Sequence, residues 1–402
     1  ISYKHRVAFL RVRMPPDPAP PLEPRRQTPD KRPPDKRRDD DRLPRRDLFL
    51  LPLIFIGTIL LLLTAGEATT RVLYPQYDDH EPCEYQTPNG ARYRPLCTSR
   101  TKVWEGPWIT QHFNACGYRT AEPCDPRPAR ALRVVVIGSS TARGALVNYD
   151  DSFAARASAA LSARCGNLVD FQNLGTEPSD DGRIDKRVPE ALALKPAAVV
   201  LPFGPFDLVH LHDRAPQPEQ ANDQPRLDLH NLLGLLRDSR LFLLMQYELY
   251  RDPAFQIRSF LLNQDPADYV RVPLSPAWQR RVDDWGNLVA RITAQTGPAG
   301  VPLVLIYIPE RAQAALATVK YPAPTGTDPY VLTRALRAMA KEHGVQFVDS
   351  TPDFAAAPDF EALFYLTDGH PREGGHAAIA EAVEQGVLSL PAFAACGRTA
   401  SR

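Results

Sequence analysis

From residue 132 onward, short apolar runs alternate with amphipathic stretches. Five runs predict strands: residues 132–137, 168–172, 197–202, 303–308 and 345–349. Each is short and rich in Val, Ile, Leu or Phe, as strands covered on both faces are. Helices are predicted between them. One covers residues 152–163. A second starts at Ser275, with Ser as the cap and Pro276 in the first turn. Its apolar positions Trp278, Val282, Trp285, Leu288, Val289 and Ile292 recur at helical spacing. A third covers 328–343 and stops at Gly344, and the last covers 373–388. Strands alternating with helices predict an α/β fold, a three-layer α/β/α sandwich with a mostly parallel five-stranded sheet. Right-handed crossovers gather the strand C-termini on one edge, where sites form.

Two regions depart from the alternation. Residues 209–274 hold a polar, Pro-containing stretch followed by LFLLMQYELY, which predicts a mostly helical insertion into a domain of residues 131–395. Such an insertion could cover the site edge, line a substrate groove or touch a membrane. Residues 66–130 carry Gly, Pro and Cys with little periodicity and read as an extracytoplasmic approach segment. No internal repeat of useful period is present.

Residues 48–65, LFLLPLIFIGTILLLLTA, contain no charge and no polar face. That length is close to the roughly 20 residues needed to cross a bilayer as a helix. Pro52 and Gly57 are tolerated in such a segment. Arg37, Arg38, Arg42, Arg45 and Arg46 precede the run, and the first base after it is Arg71. The positive-inside rule places the N-terminus in the cytoplasm and everything after Ala65 outside. A cleaved signal sequence is the rival. The run exceeds the usual signal core and Gly66-Glu67-Ala68 is a poor cleavage site, so a single spanning helix is expected. Residues 1–47 are Pro- and Arg-rich with too few apolar side chains to pack, and are expected to form a disordered cytoplasmic tail. Met14 is a candidate start.

Composition narrows the field. The 48 basic and 47 acidic residues leave a net charge of +1, which gives no reason to expect nucleic acid as a partner. All six cysteines follow the apolar run, in agreement with an oxidising compartment. Pairing cannot be deduced from sequence; local Cys83–Cys97 and Cys116–Cys124 bonds with a long-range Cys165–Cys396 bond are the expectation. The cysteine spacings are irregular and no C-x-x-C occurs, so neither a metal nor another cofactor is expected.

The chemistry sits at two places. The first predicted strand ends in Gly138-Ser139-Ser140-Thr141, and a helix is expected soon after. Ser140 thus lies where a strand end meets a helix start, a location that offers backbone N–H groups to a developing oxyanion. Near the C-terminus, Tyr365-Leu366-Thr367-Asp368-Gly369-His370-Pro371 precedes the last helix. A serine hydroxyl needs a nearby base to act as nucleophile. Histidine suits that task, and a carboxylate fixes its tautomer and steadies the imidazolium. Alone, the first motif also reads as a tight turn and the second as a surface loop.

Together they resemble the SGNH (GDSL-type) hydrolase family. GSSTARG is similar to the family's first block and DGHPREGGH to its last, and the likeness covers about residues 133–388. NACGYRT, residues 114–120, resembles an Asn-x-x-Gly-(Phe/Tyr)-Arg element of membrane-anchored members. The resemblance implies a flavodoxin-like sheet, with Ser140 as nucleophile, His370 as base, Asp368 as its partner and His376 as a packing residue. It further implies a serine esterase or O-acyltransferase at the bacterial inner membrane, working on extracytoplasmic acyl esters such as O-acetyl groups of a glycan.

Two departures bear on activity. Where the family has Asn-x-Gly-x-x-Gly, this chain reads Asn173-Leu174-Gly175-Thr176-Glu177-Pro178, and Pro178 has no N–H to donate. Where the family has Gly-x-Asn-Asp, it reads Gly204-Pro205-Phe206-Asp207. Losing one oxyanion donor typically costs ~10²–10³ in rate. The N–H groups of Gly175, Ser179 and Gly204 are the candidate substitutes. The alternatives are a catalytically degenerate binding or scaffolding module on the same fold, and a flavodoxin-like protein in which residues 138–144 cradle a phosphate. The last lacks the glycine and lysine pattern of phosphate loops and leaves the Asp-Gly-His loop unexplained.

Overall fold

The computed structural model describes residues 45–74, 81–176, 184–213, 239–262, 267–318, 320–321 and 323–396. The expected tail up to residue 44, Pro178 and Ser179, and residues 214–238 of the insertion lie outside the described residues. The chain divides into two compact units, Ile1–Leu62 and Leu63–Arg402.

The elements in chain order are α1 (Arg45–Leu73), β1 (Glu84–Thr87), β2 (Gly90–Tyr93), β3 (Thr98–Thr101), β4 (Ile109–His112), β5 (Leu132–Val136), α2 (Ser140–Arg143), α3 (Phe153–Cys165), β6 (Val169–Asn173), α4 (Val188–Ala193), β7 (Ala198–Phe203), α5 (Pro205–Asp213), α6 (Arg240–Tyr250), α7 (Pro253–Leu262), α8 (Pro276–Thr296), β8 (Leu303–Tyr307), α9 (Arg311–Ala317), α10 (Val331–Glu342), β9 (Gln346–Asp349), α11 (Thr351–Ala356) and α12 (Glu373–Leu388).

Helix α1 is long and apolar enough to cross a membrane, and its apolar stretch has no buried face. It outruns the charge-free segment by two turns. Thr69 and Thr70 bond back to the carbonyls of Ala65 and Gly66, and Arg71 pairs with Glu67 at 2.7 Å one turn earlier. Local pairs of this kind support the helix beyond its apolar stretch.

Strands β5 to β9 form one parallel sheet in the order β6-β5-β7-β8-β9. Alternate side chains sort the core into two. Val135, Val199, Leu201, Phe203, Leu305 and Tyr307 face α8 and α10, whereas Val134, Val136, Val200, Val304, Ile306 and Val348 face α3 and α12. The chain moves from β5 outward to β6, then returns to the other side of β5 for β7. That reversal opens a crevice at the C-terminal ends of β5 and β7.

Caps set the helix starts. Ser152 Oγ accepts from Ala155 N–H at the start of α3, and Ser275 Oγ from Trp278 N–H at the start of α8, both at 3.3 Å. Helix α10 starts three residues later than the pattern suggests. Asp328 Oδ1 accepts the Tyr330 N–H at 2.8 Å, a turn that competes with helix at the entry.

Residues 81–113 are not irregular. They form two antiparallel hairpins, β1–β2 and β3–β4. Strands of four residues are too short to show a period in sequence. The first turns at Pro88-Asn89, between the paired Thr87 and Gly90, and Gly90 has φ +96°. The disulfides are Cys83–Cys97, Cys116–Cys124 and Cys165–Cys396.

Candidate active site

The end of β5 lies beside the crevice, and its sequence forces a sharp corner there. Gly138 has φ +143°, and a Cβ on it would sit 2.6 Å from that of Ala142. Only glycine lets the chain turn at once into α2. Helix α2 is a single turn that Gly144 closes in the left-handed conformation. Ser140, its first residue, is 4% exposed.

Arg119, from NACGYRT, holds this corner from below. Its buried guanidinium donates to the carbonyls of Arg143 (2.8 Å), Gly144 and Val147, and its backbone N–H donates to Asn173 O at 3.0 Å. Burial, with Arg143 nearby, lowers its pKa to about 9, so it stays charged at neutral pH. Asn114 of the same motif ties its own turn together by accepting from the N–H groups of Cys116 and Tyr118.

The loop before α12 brings in the other two side chains. Ser140 Oγ lies 2.8 Å from His370 Nε2, and His370 Nδ1 lies 2.6 Å from Asp368 Oδ1. Burial raises the Asp368 pKa, but the His370 charge and its two hydrogen bonds outweigh this and hold the carboxyl below its ordinary value. Asp368 is therefore an acceptor at neutral pH. With Nδ1–H given to Asp368, Nε2 is free to accept the serine proton.

That loop is itself buttressed by residues the sequence did not single out. Glu105 Oε1 accepts from Thr367 N–H (2.8 Å), Thr367 Oγ1 (2.6 Å) and Asp368 N–H (3.0 Å), while Oε2 accepts from Leu366 N–H (2.7 Å). Trp104 Nε1 donates to Thr367 Oγ1 at 2.9 Å, and Tyr365 OH donates to Leu146 O at 3.0 Å, just past the serine corner. Glu105 sits in an aperiodic loop more than 250 residues from its partners, so no local pattern marks it.

The proposed oxyanion donors are differently placed. Gly175 N–H donates to Asn173 Oδ1 at 2.9 Å and Gly204 N–H to Asp207 Oδ2 at 2.7 Å, so each already has an acceptor. Ser179 lies outside the described residues. The Ser140 N–H, first in α2, has no acceptor among the described residues. Phe206, at the place of the family's Asn, is half exposed and packs on the His210 ring with centroids 3.7 Å apart.

A second set of polar groups lies near the crevice. Asp207 is buried, which pushes its carboxyl above the ordinary value against the nearby Ser139 hydroxyl and the Gly204 N–H. Glu310 accepts from Tyr269 OH at 3.0 Å, and burial raises its pKa to about 7. His376 is buried and stacked on Phe153, and its Nδ1 accepts the Phe153 N–H at 3.3 Å. Among the described residues no cluster of His, Cys, Asp and Glu could hold a metal.

A serine at a strand-end corner, hydrogen-bonded to a histidine that is in turn hydrogen-bonded to an aspartate, has a base within reach of its hydroxyl. The chain belongs to the GDSL-like lipase/acylhydrolase family, whose sequence profile matches residues 136–378. Among solved structures, it is similar to an α/β hydrolase from the metagenome of Lake Arreo (15% identity, 66% of this chain and 95% of that one, TM-score 0.37). It is also similar to a lipase/acylhydrolase from Enterococcus faecalis (11%, 64% and 96%, TM-score 0.37). A mutant of an acetyl-xylooligosaccharide esterase from Geobacillus likewise matches (14%, 64% and 94%, TM-score 0.37). No curated protein matches the chain.

Proposed function

We propose that the protein is a membrane-anchored serine esterase or O-acyltransferase acting on extracytoplasmic acyl esters, with O-acetyl groups of a glycan as the leading substrate class. The observation that carries this reading is the hydrogen-bonded run Ser140 Oγ–His370 Nε2–His370 Nδ1–Asp368 Oδ1, at 2.8 and 2.6 Å. In the reaction, Ser140 Oγ attacks the ester carbonyl as its proton passes to His370 Nε2. Asp368 accepts from Nδ1–H throughout and steadies the imidazolium. His370 then returns the proton to the departing alcohol, which leaves Ser140 acylated. Water, or the hydroxyl of an acceptor, loses its proton to His370 and attacks the acyl carbonyl; the bond to Ser140 Oγ then breaks and His370 returns the proton to Ser140. The Ser140 N–H is a donor for the oxyanion, and the other donor comes from a group that substrate binding frees or brings in.

Helix α1 serves as a single-pass anchor with the N-terminus in the cytoplasm and everything after Ala65 outside. Three disulfides support an oxidising compartment for that unit.

Ser140→Ala is expected to lower turnover of an activated acetyl ester by at least about a thousandfold, in line with loss of a triad member. A fluorophosphonate probe is expected to label Ser140 in the parent, read by mass spectrometry. Equal turnover in parent and variant defeats the proposal. A second reading, a non-catalytic glycan-binding module, is favoured by one observation: Gly175 and Gly204 N–H are already bonded and Phe206 offers no donor. Absence of both labelling and turnover selects that reading.

A further inference from the structure

A second concave site lies away from the serine corner and none of the chemistry above uses it. It is a cavity of about 290 Å³, near the lower end of ligand pockets, between the β1–β2 hairpin, the Cys116–Cys124 turn and the start of α4. Tyr85, Asn89, Arg92, Tyr118, Arg187 and Glu190 line it. A narrow cleft shares Asn89, Arg92 and Arg187 with this cavity and runs on to Gly138 and Thr176. Gly138 is two residues before Ser140. The cavity and the cleft thus share a wall, and the far end of the cleft lies two residues along the chain from the nucleophile.

Its charge is unbalanced. Arg92 Nε pairs with Glu190 Oε2 at 3.1 Å and Arg187 Nη2 donates to Glu190 Oε1 at 3.3 Å, so two guanidinium groups share one carboxylate. Tyr118 lies beside the Glu190 carboxylate. One positive charge remains. Arg187 is buried, and its Nε contacts Glu190 at 3.3 Å without making a hydrogen bond. Its Nη1 donates to Ala91 O at 3.1 Å, which fixes the guanidinium as part of the cavity wall. The wall is fixed: a Cβ on Gly117 would strike Tyr93 O at 2.1 Å, and the disulfide closes the turn. At the mouth, the half-exposed Tyr85 ring offers a flat apolar face, while Asn89 and Thr87 offer polar side chains. A flat ring edged by hydrogen-bonding groups and backed by one net positive charge suits a sugar ring that carries one anionic group.

We propose that this cavity binds an anionic sugar residue of the glycan, a carboxylate or phosphate sugar, adjacent to the residue whose ester reaches Ser140. The assignment rests on the esterase reading for its second half only. Binding to the cavity is independent of turnover.

The test is calorimetric titration of the detergent-solubilised full chain with a uronate trisaccharide, a sugar phosphate and a neutral trisaccharide. At least one anionic probe is expected to bind tenfold or more tightly than the neutral one, and to weaken as salt rises. Arg92→Gln is expected to remove at least tenfold of that affinity, Arg92→Lys to keep part of it, and Tyr85→Ala to weaken it several-fold. Tyr85 is exposed enough for its variant to fold, and thermal melts check all three. The two anionic arms tell a carboxylate source from a phosphate source. Equal affinity for neutral and anionic probes, or anion binding untouched by both Arg92→Gln and Tyr85→Ala, overturns the inference. Ser140→Ala is titrated alongside: intact anion binding without any esterase activity in the parent sinks the esterase reading and leaves this one standing.

Discussion

Arg119 shows how one side chain can govern a site it does not enter. Its guanidinium collects three carbonyls immediately after the Ser140 turn. Arg119→Gln keeps at most one of those bonds and leaves buried carbonyls unpaired, which is expected to cost about 2–4 kcal/mol of stability. The turn then loses its fixed position relative to His370, so kcat for an activated ester is expected to fall tenfold or more with little change in KM. Chemical denaturation and steady-state kinetics check the two parts. His376 makes a pH prediction. Burial, then Arg119, His370 and Arg156, lower its pKa from 6.5 to about 3. The unfolded chain takes up this proton below 6.5 and the folded chain does not until about 3. The unfolded state therefore binds more protons in that window, and stability is lost as pH falls through it, by at most about 1.4 kcal/mol per pH unit. Glu310 has the opposite sign: its raised pKa makes stability fall as pH rises from 4.5 through about 7. His376→Gln retains an acceptor for Phe153 N–H, and its denaturation curves are expected to depend less on pH between 6.5 and 3 than those of the parent.

At the scale of elements, the hairpin segment and the parallel sheet act as one structural unit around the site. Arg119 and Glu105 both come from residues 81–131, yet one secures the serine corner and the other the Asp368–His370 loop. Trp104, next to Glu105, packs edge-on against Tyr247 of α6 at 5.2 Å. The start of α6 is capped in turn by Glu67 of α1, which accepts from Ser239 Oγ (2.7 Å) and from Leu241 N–H (3.0 Å). The Cys165–Cys396 bond joins the end of α3 to the segment after α12 across 231 residues. Loops of that length put disulfide stabilisation near the top of its range, roughly 4–5 kcal/mol. The double variant Cys165→Ala/Cys396→Ala is expected to melt markedly lower while keeping the Ser140–His370 geometry, as read by residual esterase activity at low temperature.

For the molecule as a whole, the proposed anchor and the hydrolase unit make separable demands on sequence. The chain shortened to begin at Gly66 retains Glu67 and so the cap of α6. It is expected to be soluble without detergent and to keep its melting transition, whereas the full chain is expected to stay with the membrane after alkaline carbonate extraction. Sedimentation of both forms checks this. Recovery of the full chain in the soluble fraction counts against anchoring.

Local sequence determined the parts. The five parallel strands, the Ser275 cap, the apolar span and the Gly138 corner are set by neighbours a few residues apart, and each is readable from periodicity or residue type. The candidates Ser140, Asp368 and His370 were readable for the same reason, as short motifs at a strand end and a helix start. The hairpins at 84–93 and 98–112 were not, because four-residue strands carry no measurable period. Nor were Arg119 and Glu105 as supports, or the prior commitment of the Gly175 and Gly204 N–H groups. Those depend on which segments the sheet order and the disulfides bring side by side. Hydrogen bonds across 230 or 263 residues leave no trace in local pattern, since their geometry exists only once the whole chain has packed.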